Sequence, residues 1–324
     1  MRQGEFRRLL KASFKSDDTE EWLDVHFTRP VGLVFALLWN RLGVHPNVIT
    51  VLSIFLGVGA AFMFVHTDFA HNLAGVVLLM LANFCDSTDG QMARLTGKKT
   101  LIGRMLDGFA GDVWFFCIYF ALCCRLMGQP IPGIGLRWGA AVWVLAFVAG
   151  VLCHSPQSSL ADYYRQIHLF FLKGKEGSEL DNYAQQRAVY EQLPRSRWLD
   201  RLFYYNYANY CRSQEKRTPA FQRFFHAWKE AANSDTGEPD GRAAVRDQLL
   251  RGSRPLMKYA NMLTFNTRAI CLYVSCLLDC PWVYLLIEVL VFTLLYIYMH
   301  RSHEHLCEQL YDQLKTRTCE RHSF

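Results

Sequence analysis

The chain has no C-x-x-C pair, no internal repeat and no low-complexity tract. Each absence removes a class. Its eleven cysteines are scattered through apolar runs (Cys117, Cys123, Cys124, Cys153, Cys271, Cys276) without His partners at zinc spacing, so they read as buried, reduced thiols. A formal charge of +6, from 35 basic and 29 acidic residues, is too small to indicate a nucleic-acid partner. The opening MRQGEFRRLLKASFKSDD lacks the apolar core and small-residue cleavage site of a secretory signal, so no removed leader is expected.

What is present is apolar and unevenly distributed. The 324 residues are 51% hydrophobic and 20% charged, yet the mean hydropathy is only +0.03. Very apolar and very polar stretches must therefore alternate. A bilayer crossing takes about 20 largely apolar residues. Six stretches qualify: 47–65, 72–85 extended to about 94, 104–127, 138–153 extended toward 172, 259–278 and 281–300. The expected fold is all-α, an integral membrane bundle of six transmembrane helices.

Two polar regions complete this layout. Trp22, Leu23, Phe27, Val31, Val34, Phe35, Leu38 and Leu42 recur at helical spacing beside charged positions, which predicts an amphipathic interfacial helix over 19–43. Residues 173–258 are charged and rich in Tyr, Phe and Trp, with breakers at Pro194, Pro219, Gly237, Pro239, Gly252 and Pro255, which predicts a cytoplasmic insertion of short helices. The expected domains are an N-terminal segment 1–45, transmembrane helices 1–4 over 46–172, the insertion 173–258, transmembrane helices 5–6 over 259–300, and a tail 301–324.

Lys and Arg in the loops set the orientation. The leading segment carries Arg2, Arg7, Arg8, Lys11, Lys15, Arg29 and Arg41, and the next loop on the same side carries Arg94, Lys98, Lys99 and Arg104. The opposite loops are poorer, with none in 66–71, Arg125 and Arg137 in the next, and none in 279–282. Both termini are therefore expected in the cytoplasm, on the same side as the acidic helix ends.

Those acids are the densest chemical signal. Asp86-Ser-Thr-Asp89-Gly90-Gln-Met-Ala93-Arg94 is followed, after eight residues, by Gly103-Arg-Met-Leu-Asp107 and then Asp112. On a helix, Asp86 and Asp89 share a face, and Asp107 approaches from the next helix. Carboxylates at membrane depth need a counter-charge, and oxygen-only ligation favours Mg²⁺ or Mn²⁺ with a phosphate-bearing substrate. Gly90, Ala93 and Gly103 would let a nucleotide diphosphate approach the backbone, and Arg94 would neutralise it.

These residues resemble the CDP-alcohol phosphotransferases, whose motif is D-x-x-D-G-x-x-A-R, eight residues, then G-x-x-x-D-x-x-x-D. The resemblance covers about 19–172 and 259–300. It implies that Asp86, Asp89 and Asp107 ligate metal, two ions in all, that Gly90, Ala93, Arg94 and Gly103 cradle the nucleotide, and that Thr50, in His45-Pro46-Asn47-Val-Ile-Thr50, lies close to it. It also implies a phospholipid-synthesising transferase that releases CMP, with a CDP-linked lipid and a polar alcohol as partners, in the inner membrane and as a homodimer.

One position departs from the motif. The final acid, which would ligate metal and act as base, falls on Gly111, and Asp112 stands five residues after Asp107. Five residues of regular helix turn about 140° rather than about 40°. A π-bulge between Asp107 and Asp112, beside Gly108 and Gly111, would return Asp112 to the site as base.

The acceptor is read from polar residues near other span ends. Arg268, with His154, Gln157, Ser158, Tyr164 and Arg165, could line a pocket for a phosphorylated acceptor, which makes the chain look similar to the phosphatidylinositol-phosphate synthase branch. Alternatively Arg268 pairs with Glu288 for structural reasons. Glycerol phosphate, serine and inositol remain open as acceptors, as does transfer of CDP-choline or CDP-ethanolamine to a diglyceride. A transporter using the acids as a cation pathway is the alternative of a different class; it would not need Gly90, Ala93, Arg94 and Gly103 in this order.

Overall fold

The computed structural model describes residues 3–13, 16, 18–97, 101–233 and 239–321. Arg2, Lys15, Lys98 and Lys99, used above for orientation, lie outside the described residues. The described chain is helical, with no strand beyond a single bridge between Pro130 and Arg137. The ten described cysteines form no disulfide.

The chain divides into two compact units, Met1–Pro156 with Phe265–Thr293, and Gln157–Thr264 with Leu294–Phe324. In the first unit α1 (Gln3–Ser13) and a π turn (Asp24–Thr28) lead into α2 (Arg29–Arg41), α3 (Pro46–Phe64), α4 (Phe69–Leu95) and α5 (Leu101–Leu126). The starts of α3 and α4 follow local chemistry. His45 Nδ1 accepts from Asn47 N at 3.2 Å with Pro46 in the first turn, and Asp68 accepts from His71 N at 3.1 Å.

Long helix α6 (Ala141–Lys173) contains a π-helical stretch, Val148–His154. It begins in the first unit and ends in the second. The insertion supplies α7 (Tyr183–Gln192), α8 (Trp198–Arg217), α9 (Pro219–Asn233) and α10 (Pro239–Met262); α11 (Phe265–Leu277) and α12 (Pro281–Thr316) follow, the latter with a π turn at Glu288–Phe292.

Five helices, α3, α4, α5, α6 and α12, are long and apolar enough to cross a membrane. The expected fifth span, 259–278, is interrupted. Thr264 ends α10 by donating its hydroxyl to Asn261 O at 2.7 Å, and α11 has 13 residues. At about 1.5 Å per residue it reaches about 20 Å, short of a hydrocarbon core of about 30 Å. Among the described residues, five of the six expected spans are therefore matched by such helices.

In the first unit the core joins Ala60 and Phe64 of α3, Leu79 of α4, Trp114, Ile118 and Leu122 of α5, Ala149 of α6, Leu272 of α11 and Leu285 of α12. Helices α3 and α5 meet at Gly57, where a Cβ would collide with the Trp114 indole. Phe55, Phe62, Phe116 and Val144 stand exposed on the spanning helices, the arrangement expected where lipid rather than water is the solvent.

The predicted amphipathic segment forms the π turn and α2, and it packs on α4. Thr88 Oγ1 donates to Gly32 O at 3.4 Å and Gln91 Nε2 to Arg29 O at 3.1 Å. A Cβ on Gly32 would come 2.7 Å from Gln91 Nε2, so glycine permits this close approach. Leu33 and Ala36 are buried, whereas Phe27, Val34, Phe35, Leu38 and Leu42 are exposed.

The second unit has its own polar framework. Glu304 of α12 accepts from Ala220 N at 2.8 Å and Phe221 N at 3.3 Å, satisfying the start of α9, while His168 Nδ1 meets Ser253 Oγ at 2.8 Å. Phe171, Phe224 and Trp228 pack as an aromatic cluster.

Candidate active site

Asp86 and Asp89 lie one turn apart near the end of α4, and Asp107 enters from the second turn of α5. Asp107 comes within hydrogen-bonding reach of Asp86 and interacts electrostatically with Asp89. Asp86 and Asp107 are thus brought together, with Asp89 one helical turn from Asp86 and within electrostatic reach of Asp107. A contact between two carboxyl groups requires a shared proton or a cation between them, because two ionised carboxylates repel at this range.

Neighbouring groups orient and balance the cluster. Thr50 Oγ1 of α3 donates to Asp89 Oδ2 at 2.5 Å, and Asp89 is buried. The Arg94 guanidinium attracts Asp89 and lies beside Gly90, where a Cβ would stand 3.4 Å from Arg94 Nη1. Gly90 and Ala93 are both half-buried on the same stretch of α4, and Gly103 lies one turn before Asp107 on α5. The charge of Arg29 also reaches Asp86.

Arg29 is a site neighbour that sequence reasoning used only as a loop charge. Its position depends on α2 lying along α4 and on its ion pair with Glu20 at 3.2 Å. The only signal in the sequence was that the amphipathic segment had to pack somewhere.

Asp112 is not brought to this cluster. Helix α5 is α-helical from Leu101 to Leu126, so the expected π-bulge is absent, and Asp112 is exposed on another face. The physical reason is that nothing forces the distortion. Gly108 and Gly111 have open space around them, so no neighbouring group presses the helix out of its regular form there. Gly111, four residues after Asp107, occupies the face that Asp112 was expected to fill.

Of the residues proposed to bind the acceptor, Arg268 and His154 lie in the first unit. Arg268 is completely buried and pairs with Glu288 of α12. Tyr284 Oη donates to Glu288 at 2.8 Å, Tyr119 Oη lies 3.2 Å from Tyr284 Oη, and His154 Nδ1 lies 3.1 Å from Tyr119 Oη and 3.5 Å from Glu288. This network contains the Arg268–Glu288 pairing that the sequence offered as the alternative to an acceptor pocket. The π stretches carrying His154 and Glu288 aim both side chains inward.

Gln157, Ser158, Tyr164 and Arg165 belong to the second unit. Gln157 is buried and Ser158 half-buried. Tyr164 is buried, its Oη 2.6 Å from His300 Nδ1, and Arg165 pairs with Asp162 at 3.2 Å.

Long apolar helices with carboxylates near one end of α4 and α5 describe a helical membrane protein with an acidic centre. Residues 43–161 match the CDP-alcohol phosphatidyltransferase family, whose members are transferases. No curated protein matches the chain. The matched stretch spans α3, α4, α5 and the start of α6, and so contains Thr50, all three clustered acids and Arg94. It supports an enzyme of this kind, acting on a CDP-alcohol and an alcohol at a lipid bilayer, and the family is metal-dependent.

Proposed function

We propose that the protein transfers a phosphatidyl group from CDP-diacylglycerol to a hydroxyl of a polar, phosphorylated acceptor such as inositol phosphate, releasing CMP. The observation that carries this reading is the convergence of Asp86, Asp89 and Asp107 beside Arg94. An all-oxygen, all-carboxylate donor set fits Mg²⁺ or Mn²⁺, which would be held by these three acids. When bound, such ions neutralise the diphosphate and make its phosphorus more electrophilic.

The chain's own residues supply the rest. Thr50 fixes the rotamer of Asp89 through its hydrogen bond. Gly90, Ala93 and Gly103 leave the backbone open to the cytidine diphosphate, and Arg94 holds the negative charge of the departing CMP. Arg29 adds a second positive group beside Asp86. With Asp112 on another face, the proton of the acceptor hydroxyl passes to the acidic cluster rather than to Asp112.

The loop charges support cytoplasmic termini and a cytoplasmic site at the inner membrane. The exposed apolar residues of α2 support an interfacial helix. A sixth crossing would have to be completed by α11 together with its flanking turns, and a homodimer follows from the family resemblance.

Incubating the purified protein with CDP-diacylglycerol, Mg²⁺ or Mn²⁺ and separate acceptors tests the reading. The panel is inositol phosphate, glycerol phosphate, serine and inositol, with CDP-choline plus diglyceride as the reverse arrangement. CMP release with a new phosphatidylinositol-phosphate mass is the expected result. A product only with another acceptor reassigns the substrate, and no metal-dependent CMP release with any pair defeats the proposal.

A further inference from the structure

We propose that His66, Asp68 and His71, at the end of α3 and α4 away from the aspartate cluster, form a second metal site, selective for a transition ion of the Zn²⁺ type. One ligand atom from each of the three residues lies within 4.8 Å of the others. The His66 and His71 rings stack with centroids 4.2 Å apart, and His71 Nδ1 lies 2.8 Å and 2.7 Å from the two Asp68 oxygens. The Asp68–His71 contact alone would be explained by capping of α4, but capping does not bring in His66.

The loop that carries these groups is braced from the protein side. Buried Asn72 donates through Nδ2 to His66 O at 3.1 Å and to Asp68 O at 2.7 Å. Its Oδ1 accepts from Arg125 Nη1 at 2.8 Å. Arg125, itself buried, also donates to Phe64 O at 3.3 Å and to Asp279 at 2.6 Å. The backbone under the three side chains is therefore held in place before any ion arrives, which lowers the ordering cost of binding.

The donor set decides the ion. Two imidazoles and one carboxylate suit Zn²⁺, Ni²⁺ or Cu²⁺, whereas Mg²⁺ and Mn²⁺ prefer the all-oxygen cluster. Bonds of about 2.0–2.2 Å need the ligand atoms slightly closer together, which side-chain rotation at this exposed loop supplies. Asp68 and Asp89 are separated by about 30 Å of helix at 1.5 Å per residue, so one ion cannot serve both places.

The test uses the full chain in detergent, without a histidine tag, stripped with EDTA and dialysed against Zn²⁺. Metal analysis should find one more Zn²⁺ per chain in the parent than in His66→Asn/His71→Gln, and His66→Asn alone should weaken Zn²⁺ binding by at least about tenfold. Equal binding by parent and double variant overturns the proposal. A second readout needs no variant. In the parent protein, Zn²⁺ should protect both His66 and His71 from diethylpyrocarbonate, measured by peptide mass, and unchanged modification of either ring overturns it. Mg²⁺-dependent CMP release should persist in the double variant, which separates this site from the transferase centre.

Discussion

Thr50 of α3 and Asp89 of α4, 39 positions apart, meet through a 2.5 Å hydrogen bond in the buried part of the candidate site. The hydroxyl is also within 3.4 Å of Pro46 O, and Ser53 Oγ holds Thr50 O at 2.6 Å, so the threonine is fixed by its own helix. An acid oriented by a neutral donor keeps its second oxygen for a ligand. Thr50→Val should therefore lower metal-dependent CMP release by about 10- to 100-fold, mainly through weaker metal affinity. Titrating Mg²⁺ in the assay checks this, and an unchanged metal requirement would contradict it.

Asp107 and Asp89 should be indispensable. Asp107→Asn or Asp89→Asn removes a carboxylate from a three-acid cluster and is expected to reduce turnover by at least about 100-fold while the protein still purifies folded. Removing divalent metal with EDTA should abolish CMP release in the parent, and Mg²⁺ or Mn²⁺ should restore it. Substantial turnover by either variant at saturating metal would count against the site.

Asp112 and Gly111 give the opposite pair of expectations. Asp112→Asn should keep activity within about threefold, because a regular helix turns that side chain by about 140° from Asp107. Gly111→Asp meets no atom within 4 Å of its new Cβ and adds a fourth carboxylate on the Asp107 face. It should be folded, and it should shift the dependence of turnover on pH. A large loss of turnover in Asp112→Asn at unchanged folding would show that α5 distorts when substrate binds.

Arg268 and Glu288 form a buried ion pair, and removing one partner leaves the other charge uncompensated. Glu288→Leu or Arg268→Met alone should cost about 3–5 kcal/mol of stability, and the double replacement should recover much of the loss. Thermal unfolding in detergent measures this. Equal Tm values for the single variants and the parent would remove the network from the stability of the first unit.

The spans α3 to α6 and α12 were legible in the sequence because each is a long apolar run whose character needs no partner to be recognised. The acidic cluster was legible for a related reason. Asp86 and Asp89 are one helical turn apart, and Asp107 lies in the second turn of the next helix, so short-range spacing already suggests that they approach one another. The break within 259–278 was not legible, because hydropathy averages over Thr264 and Asn266, whereas the Thr264 hydroxyl ends the helix at one residue. Asn266 is drawn instead to Glu21 and Asp24, at 2.9 Å and 3.0 Å, contacts more than 240 positions away in sequence.

By itself the sequence determined the helical membrane character, the family resemblance and the identity of the three clustered acids. Those properties rest on apolar length and on spacings within one or two helices. Tertiary structure decided that the charge of Arg29 reaches Asp86, that Arg268 pairs with Glu288, that Asp112 stays outside the cluster, and that His66 stacks on His71. Each of these depends on where a charge or ring finds its partner after packing. Burial selects among partners that no local pattern distinguishes.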